Sequence, residues 1–203
     1  MGRRPTDKRE RLVAAAVERF HLQGYAGTSL ADVARAAGVP AGNVFYYFRT
    51  KEDLARAVVE AWCHELAEDM AILDEEPDRW TRLARFVEGA AEDRQGYTSR
   101  GCPLAGLARD LRRESDALGA EVPRVYAVHH DWVRAQFAAL GFLPDEAEAH
   151  ARFLMAGHNG AILLSFAQGD EGLIVSGVAA LRAWLDRLRD EAGQPADSTR
   201  LPA

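Results

Sequence analysis

Apolar residues recur at three- and four-residue intervals along almost the whole chain, and no stretch alternates apolar and polar residues long enough to make a strand. Nor is there an Asn-Gly hairpin signal. Glycine and proline fall between the helical segments, where they stop and start helices. This pattern predicts an all-α fold of about nine helices. The first is expected over 7–23, with Thr6 as N-cap, Leu12, Ala15, Ala16 and Phe20 on its apolar spacing, and Gly24 as its stop. A second follows Thr28-Ser29, where Ser29 and Asp32 have the spacing of a capping box, and ends at Gly38. A third spans 40–47, and a fourth runs from Thr50, with Asp53 three positions on, to Leu73. Pro77 precedes the rest, expected over 78–95, 103–113, 117–139, 145–168 and 171–191. The polar segment 193–203 is expected to be disordered.

Charge is sorted along the chain. The net charge is −6, yet residues 1–56 hold ten Lys/Arg against six Asp/Glu, and the remainder holds fifteen against twenty-five. A basic head on an acidic body fits binding to phosphate, which needs only a local basic face. No apolar run reaches the length of a membrane span. Cys63 and Cys102 are too few for a disulfide framework, so a reducing cytoplasm is the expected location. Met1-Gly2-Arg3-Arg4-Pro5-Thr6 fits loose lipidation and twin-arginine patterns. The charged residues Asp7-Lys8-Arg9-Glu10-Arg11 then stand where a twin-arginine signal needs an apolar run.

The informative stretch is 28–48, two short helices across a tight turn. Leu30, Val33 and Ala34 supply the inner face of the first, and Ala34 is small enough for close approach. Gly38 supplies the left-handed turn, and Val39 closes the core after it. Val44 and Phe48, four apart, bury the second helix, and Phe45 is read as core with them. That leaves Ala41, Gly42, Asn43, Tyr46 and Tyr47 facing out. The face is slim at its start and hydrogen-bonding thereafter, as a major-groove reader requires.

Gly24-Tyr25, Thr28-Ser29, the Ala34…Ala37-Gly38-Val39 turn, the run Gly42-Asn43-Val44-Phe45-Tyr46-Tyr47-Phe48 and Lys51-Glu52-Asp53-Leu54 together resemble the TetR family of repressors. The resemblance implies a helix-turn-helix reader over 1–50, an effector-binding and dimerisation domain over 51–192, and double-stranded DNA as partner. It implies that Tyr47 and Lys51 hold backbone phosphates, that Tyr46 touches DNA, and that Thr28 or Ser29 offers a hydroxyl or amide to phosphate from a helix N-terminus. Asn43 is the expected base reader, through a bidentate contact with adenine. Two positions depart from the family pattern. Pro40 stands where a Ser or Thr cap is common, and Ala31 where a longer polar residue often reads a base. Arg3, Arg4, Lys8 and Arg9 form either a minor-groove arm or a solvated terminus.

Arg100-Gly101-Cys102-Pro103-Leu104 is similar to a segment of the LmrA/YxaF-like subgroup. By the resemblance, the body holds a small-molecule effector. Candidate pocket residues are Trp62, Leu66, Phe86, Cys102, Leu107, Trp132, Phe137, His158 and Asn159. His158-Asn159 lies in an apolar helix and requires hydrogen-bond partners, either a ligand or the core itself. The last two helices are the expected dimer interface. Phe153, Gly157, Ala161 and Leu164 lie on one, and Leu181, Trp184, Leu185 and Leu188 on the other. A twofold dimer would match a palindromic operator, with effector binding shifting the population away from the DNA-competent form.

An enzyme is the rival class. The His64-Glu65 pair lacks the second histidine of a zinc-protease motif, and no nucleotide-binding glycine loop occurs. Glu146 and His150 offer only two metal ligands, so neither metal nor cofactor is expected. A thiol-based redox regulator is the alternative reading, with Cys102 beside Arg100 and Cys63 as its means.

Overall fold

The computed structural model describes residues 7–193. Thr6, Arg3, Arg4 and the segment 194–203 lie outside them. Among the described residues the chain is all-α, with eleven helices. The first four are α1 Lys8–Gln23, α2 Leu30–Ala36, α3 Ala41–Tyr47 and α4 Lys51–Leu73. Then come α5 Arg79–Glu92, α6 Arg94–Arg100, α7 Pro103–Glu114 and α8 Asp116–Gly119. The last three are α9 Val122–Ala139, α10 Pro144–Gln168 and α11 Gly172–Ala192. The short helices α6 and α8 are the two that helical spacing did not separate.

Local chemistry sets the ends. Asp7 caps α1 by accepting the Glu10 N–H at 2.7 Å, and Gly24 closes that helix at φ 76°. Ser29 and Asp32 form the expected capping box on α2. Thr50 and Asp53 do the same at α4, each accepting the other's backbone N–H, at 3.0 and 3.1 Å. Asp78 caps α5, and Pro103 occupies the first turn of α7, where its missing N–H costs nothing.

The chain divides into two compact units. The first comprises the described residues up to Ile72 and Ser99–Trp132. Leu12 and Ala16 of α1, Val33 and Ala34 of α2, Leu54 of α4, Leu111 of α7 and Leu118 of α8 are all fully buried in one cluster. Each buried leucine contributes about 1.5–3 kcal/mol. Together they tie the turn between α2 and α3 to α4, α7 and α8.

The second unit comprises Leu73–Thr98 and the described residues from Val133 on. Leu83 and Val87 of α5, Phe137 of α9, Ala151 and Leu154 of α10, and Ile174 of α11 are fully buried. Helices α10 and α11 approach closely at two glycines. A Cβ at Gly157 would lie 2.9 Å from Leu181 Cδ2, and one at Gly177 would lie 2.5 Å from Ala161 Cβ. Buried Gln136 is held by Arg79, whose Nη1 donates to its Oε1 at 2.9 Å.

Candidate nucleic-acid interface

The turn between α2 and α3 is fixed from three sides. Gly38 takes φ 61°, which side chains resist. Val39 is buried behind it, and its N–H reaches the Ala34 carbonyl at 2.9 Å. From α1, the Arg11 guanidinium donates to the carbonyls of Ala37 and Gly38. Both carbonyls lie just past Ala36, the last residue of α2. This clamp spans 26 and 27 positions of sequence, and sequence reasoning missed it. Arg11 had counted only as part of the basic head.

Buried Val44 and Phe48 fix the rotation of α3. Ala41, Gly42 and Tyr46 face solvent, with Tyr46 84% exposed, while Asn43 and Tyr47 sit half-buried at the flanks. The rings of Tyr46 and Tyr47 meet edge to face at 5.0 Å. Phe45 corrects the sequence reading. It was expected in the core, yet it is 59% exposed. One residue past Val44 is a rotation of about 100°, which carries the ring off the inner face.

Thr28 needs a second correction. It is buried, its hydroxyl donates to the Gly24 carbonyl at 2.9 Å, and its N–H bonds to the Tyr25 carbonyl. Both of its donors are therefore used internally. Ser29 is exposed, and its hydroxyl lies 2.5 Å from Asp32 Oδ2. Lys51 reaches back from the start of α4. Its Nζ donates to the Tyr25 carbonyl at 3.1 Å and stands 4.2 Å from that ring's centroid. Burial pushes the Tyr25 phenol up to about 12, helped by Glu114 and Glu52 and opposed by Arg56. The ring is thus a neutral π-face under the ammonium group.

The backbone N–H of Tyr25 is held in turn by α7, where Asp110 Oδ2 accepts it at 2.8 Å. The carboxylate comes so close that a Cβ at Gly24 would lie 3.0 Å from it. Asp110→Ala leaves this N–H without its charged acceptor, so the first unit is expected to lose about 1–3 kcal/mol. Urea unfolding measures it, and an unchanged midpoint would remove Asp110 from the account.

The expected pocket residues fall in both units. Trp62, Leu66, Cys102, Leu107 and Trp132 belong to the first, and Phe86, Phe137, His158 and Asn159 to the second. Leu66, Phe86, Leu107 and Phe137 are buried, and the others half-buried. Leu107 lines an apolar crevice with Val59, Leu111 and Tyr126 of only about 10 Å³, no more than one water requires. Asn159 uses one amide N–H within its own helix, donating to the Met155 carbonyl at 2.8 Å. The His158 ring lies 5.1 Å from that of Phe86. A larger cavity of about 140 Å³ lies between α5 and α11, at Trp80, Arg85, Glu88, Arg182 and Asp186, and none of the expected pocket residues lines it.

Both cysteines are free thiols. Burial raises the Cys102 thiol above its usual range, against the opposing N–H groups of Ala105 and Leu104. Arg100 does not lower it, contrary to the sequence reading. Cys63 is also raised by burial, with Arg124 opposing. Iodoacetamide at pH 7 is therefore expected to alkylate Cys102 more slowly than an exposed thiol. A rate equal to or above that of an exposed thiol would restore the redox reading. Glu146 is occupied in accepting the Leu143 N–H at 2.9 Å. Among the described residues, no three His, Cys, Asp or Glu side chains group as metal ligands.

The expected dimer residues separate into two sets. Leu181 and Leu185 are both buried within the chain, and Leu181 packs onto Gly157. Gly157 and Ala161 line the α10–α11 seam with Leu181, while Leu185 lines the cavity between α5 and α11. Phe153 and Leu164 are 54% and 51% exposed. Trp184 and Leu188 are half-buried, and Trp184 stands 4.7 Å from the Phe153 ring.

The family model for bacterial regulatory proteins of the tetR family matches residues 12–58, and that for the C-terminal domain of LmrA/YxaF-like transcriptional regulators matches residues 80–175. The chain belongs to the TetR family. TetR-family proteins of this kind are DNA-binding transcriptional regulators, and the relatives bear that description. The HTH-type transcriptional regulator YxaF of Bacillus subtilis is 25% identical over 169 residues, 81% of this chain and 88% of that protein. The transcriptional regulator AcuR of Cereibacter sphaeroides is 33% identical over 104 residues, 49% of this chain and 47% of its own length. The chain therefore spans about half of AcuR. The crystal structure of a TetR regulator from Legionella pneumophila shares the fold at TM-score 0.76, with 21% identity over 93% of this chain and 99% of that one. No helix among the described residues of this TetR-family chain is long and apolar enough to cross a membrane.

Proposed function

We propose that the chain is a ligand-responsive repressor that binds a palindromic operator as a homodimer and is released by a small, largely apolar effector. The observation that carries the reading is the outer face of α3. Gly42, Asn43, Tyr46 and Tyr47 project from a helix whose rotation is fixed by Val44 and Phe48. In this reading residues 1–50 read DNA and residues 51–192 sense and dimerise. Asn43 binds adenine, Ala41 and Gly42 give α3 clearance in the groove, and Tyr46 touches the duplex. Tyr47 and Lys51 hold phosphates, with Ser29 offering a donor from the start of α2. Effector binding in the helical body favours a dimer whose two α3 helices no longer fit successive major grooves.

The exposed apolar residues of α10 support the dimer. Phe153, Leu163, Leu164 and Phe166 are each between 48% and 62% exposed in the single chain. Sedimentation equilibrium is expected to give twice the chain mass of 22.3 kDa. Leu164→Glu is expected to bring it to one chain. A wild-type monomer at micromolar concentration would contradict the dimer.

A further inference from the structure

The outer face of α3 carries an aromatic ring that the fold does not use. Gly42, Phe45 and Tyr46 stand at i, i+3 and i+4, which puts them on one side of the helix. Phe45 is 59% exposed and Tyr46 84%. A Cβ at Gly42 would meet nothing within 4 Å, and the residue does not need a positive φ. Neither packing nor backbone conformation requires glycine there, although glycine costs a helix about 1 kcal/mol relative to alanine. The missing methyl instead leaves room beside the two rings for something outside the chain.

The ring of Phe45 has no donor or acceptor, so a base edge is available to it only through apolar contact. In the major groove the base edges offer one apolar group, the C5-methyl of thymine. We propose that Phe45 is a specificity-determining residue that packs on a thymine methyl in each half-site. Gly42 provides the clearance that lets α3 settle deep enough for the contact. The inference rests on the DNA-reading role of α3 and adds the identity of one base that it selects. Arg49 and Lys51, close behind in sequence, supply positive charge for the phosphates beside that base.

Replacing thymine by deoxyuridine removes the methyl and leaves every hydrogen-bonding group in place, so the test needs no change in the protein. A duplex enriched from a random pool by the wild-type protein is remade with each half-site thymine replaced in turn. At one position the wild type is expected to lose about fourfold in affinity per half-site, and about fifteenfold when both are replaced. Phe45→Ala should bind the thymine and deoxyuridine duplexes equally, with its helicity and its binding to unrelated duplex unchanged. Wild-type binding that ignores every deoxyuridine overturns the proposal, as does Phe45→Ala retaining the same sensitivity. If the pool yields no enriched duplex, the DNA-reading role fails first and takes this inference with it.

Discussion

Gly177→Leu is expected to destabilise the second unit by about 3 kcal/mol. A Cβ at this position would lie 2.5 Å from Ala161 Cβ and 3.7 Å from Ala161 Cα. Ala161 has no flexible end to swing away, so α10 and α11 would have to separate along their seam. Gly157 makes a useful contrast. Its nearest neighbour is Leu181 Cδ2 at 2.9 Å, the tip of a side chain that can change rotamer. Gly157→Ala is therefore expected to cost less than Gly177→Ala. Urea unfolding followed by helicity measures both, and an undiminished midpoint for Gly177→Leu would mean that the seam is not close-packed.

Tyr47→Phe combined with Lys51→Ala is expected to weaken binding to every duplex, by about a hundredfold for loss of two charge-assisted contacts. The loss should be uniform across sequences, because phosphates carry no sequence information. The slope of log affinity against log salt should become shallower by about one per lost lysine–phosphate contact. The starting geometry suits such a role. Lys51 stands at the first residue of α4, held by the Tyr25 carbonyl at 3.1 Å and by the ring beneath it. Its stem is thus positioned before DNA arrives. Titration of labelled duplexes at several salt concentrations makes the measurement. A loss confined to one sequence would turn these residues into base readers, and no loss would remove them from the interface.

What could be read from the sequence was mostly local. Capping by Ser29 with Asp32, capping by Thr50 with Asp53, and the turns at Gly24 and Gly38 depend on residues a few positions apart. Each appears where the spacing put it. Helix α8 escaped notice because its cap, Ser115, starts only four helical residues, too few for a period. Phe45 was misread because apolar character was weighed above rotation. Val44 and, just past the end of this seven-residue helix, Phe48 already take its inner side, with Tyr47 half-buried against the same core. Thr28 was misread because a threonine hydroxyl can satisfy the carbonyl four residues back as readily as it can face solvent. The Arg11 clamp and the Asp110 bond to Tyr25 join residues far apart in sequence, and no local pattern announces either. Leu181 and Leu185 show the same limit. Their spacing marks an apolar face, but only packing decides that Gly157 of α10 meets Leu181 and that Leu185 lines a cavity with α5.

The most direct test of the central claim is selection of bound sequences from a random duplex pool by the purified protein at moderate salt. Enrichment of one palindromic site, with half-sites about one helical turn apart, is the predicted result for paired α3 helices in successive major grooves. Binding that is salt-sensitive but enriches no sequence would contradict the account of α3 as a sequence reader.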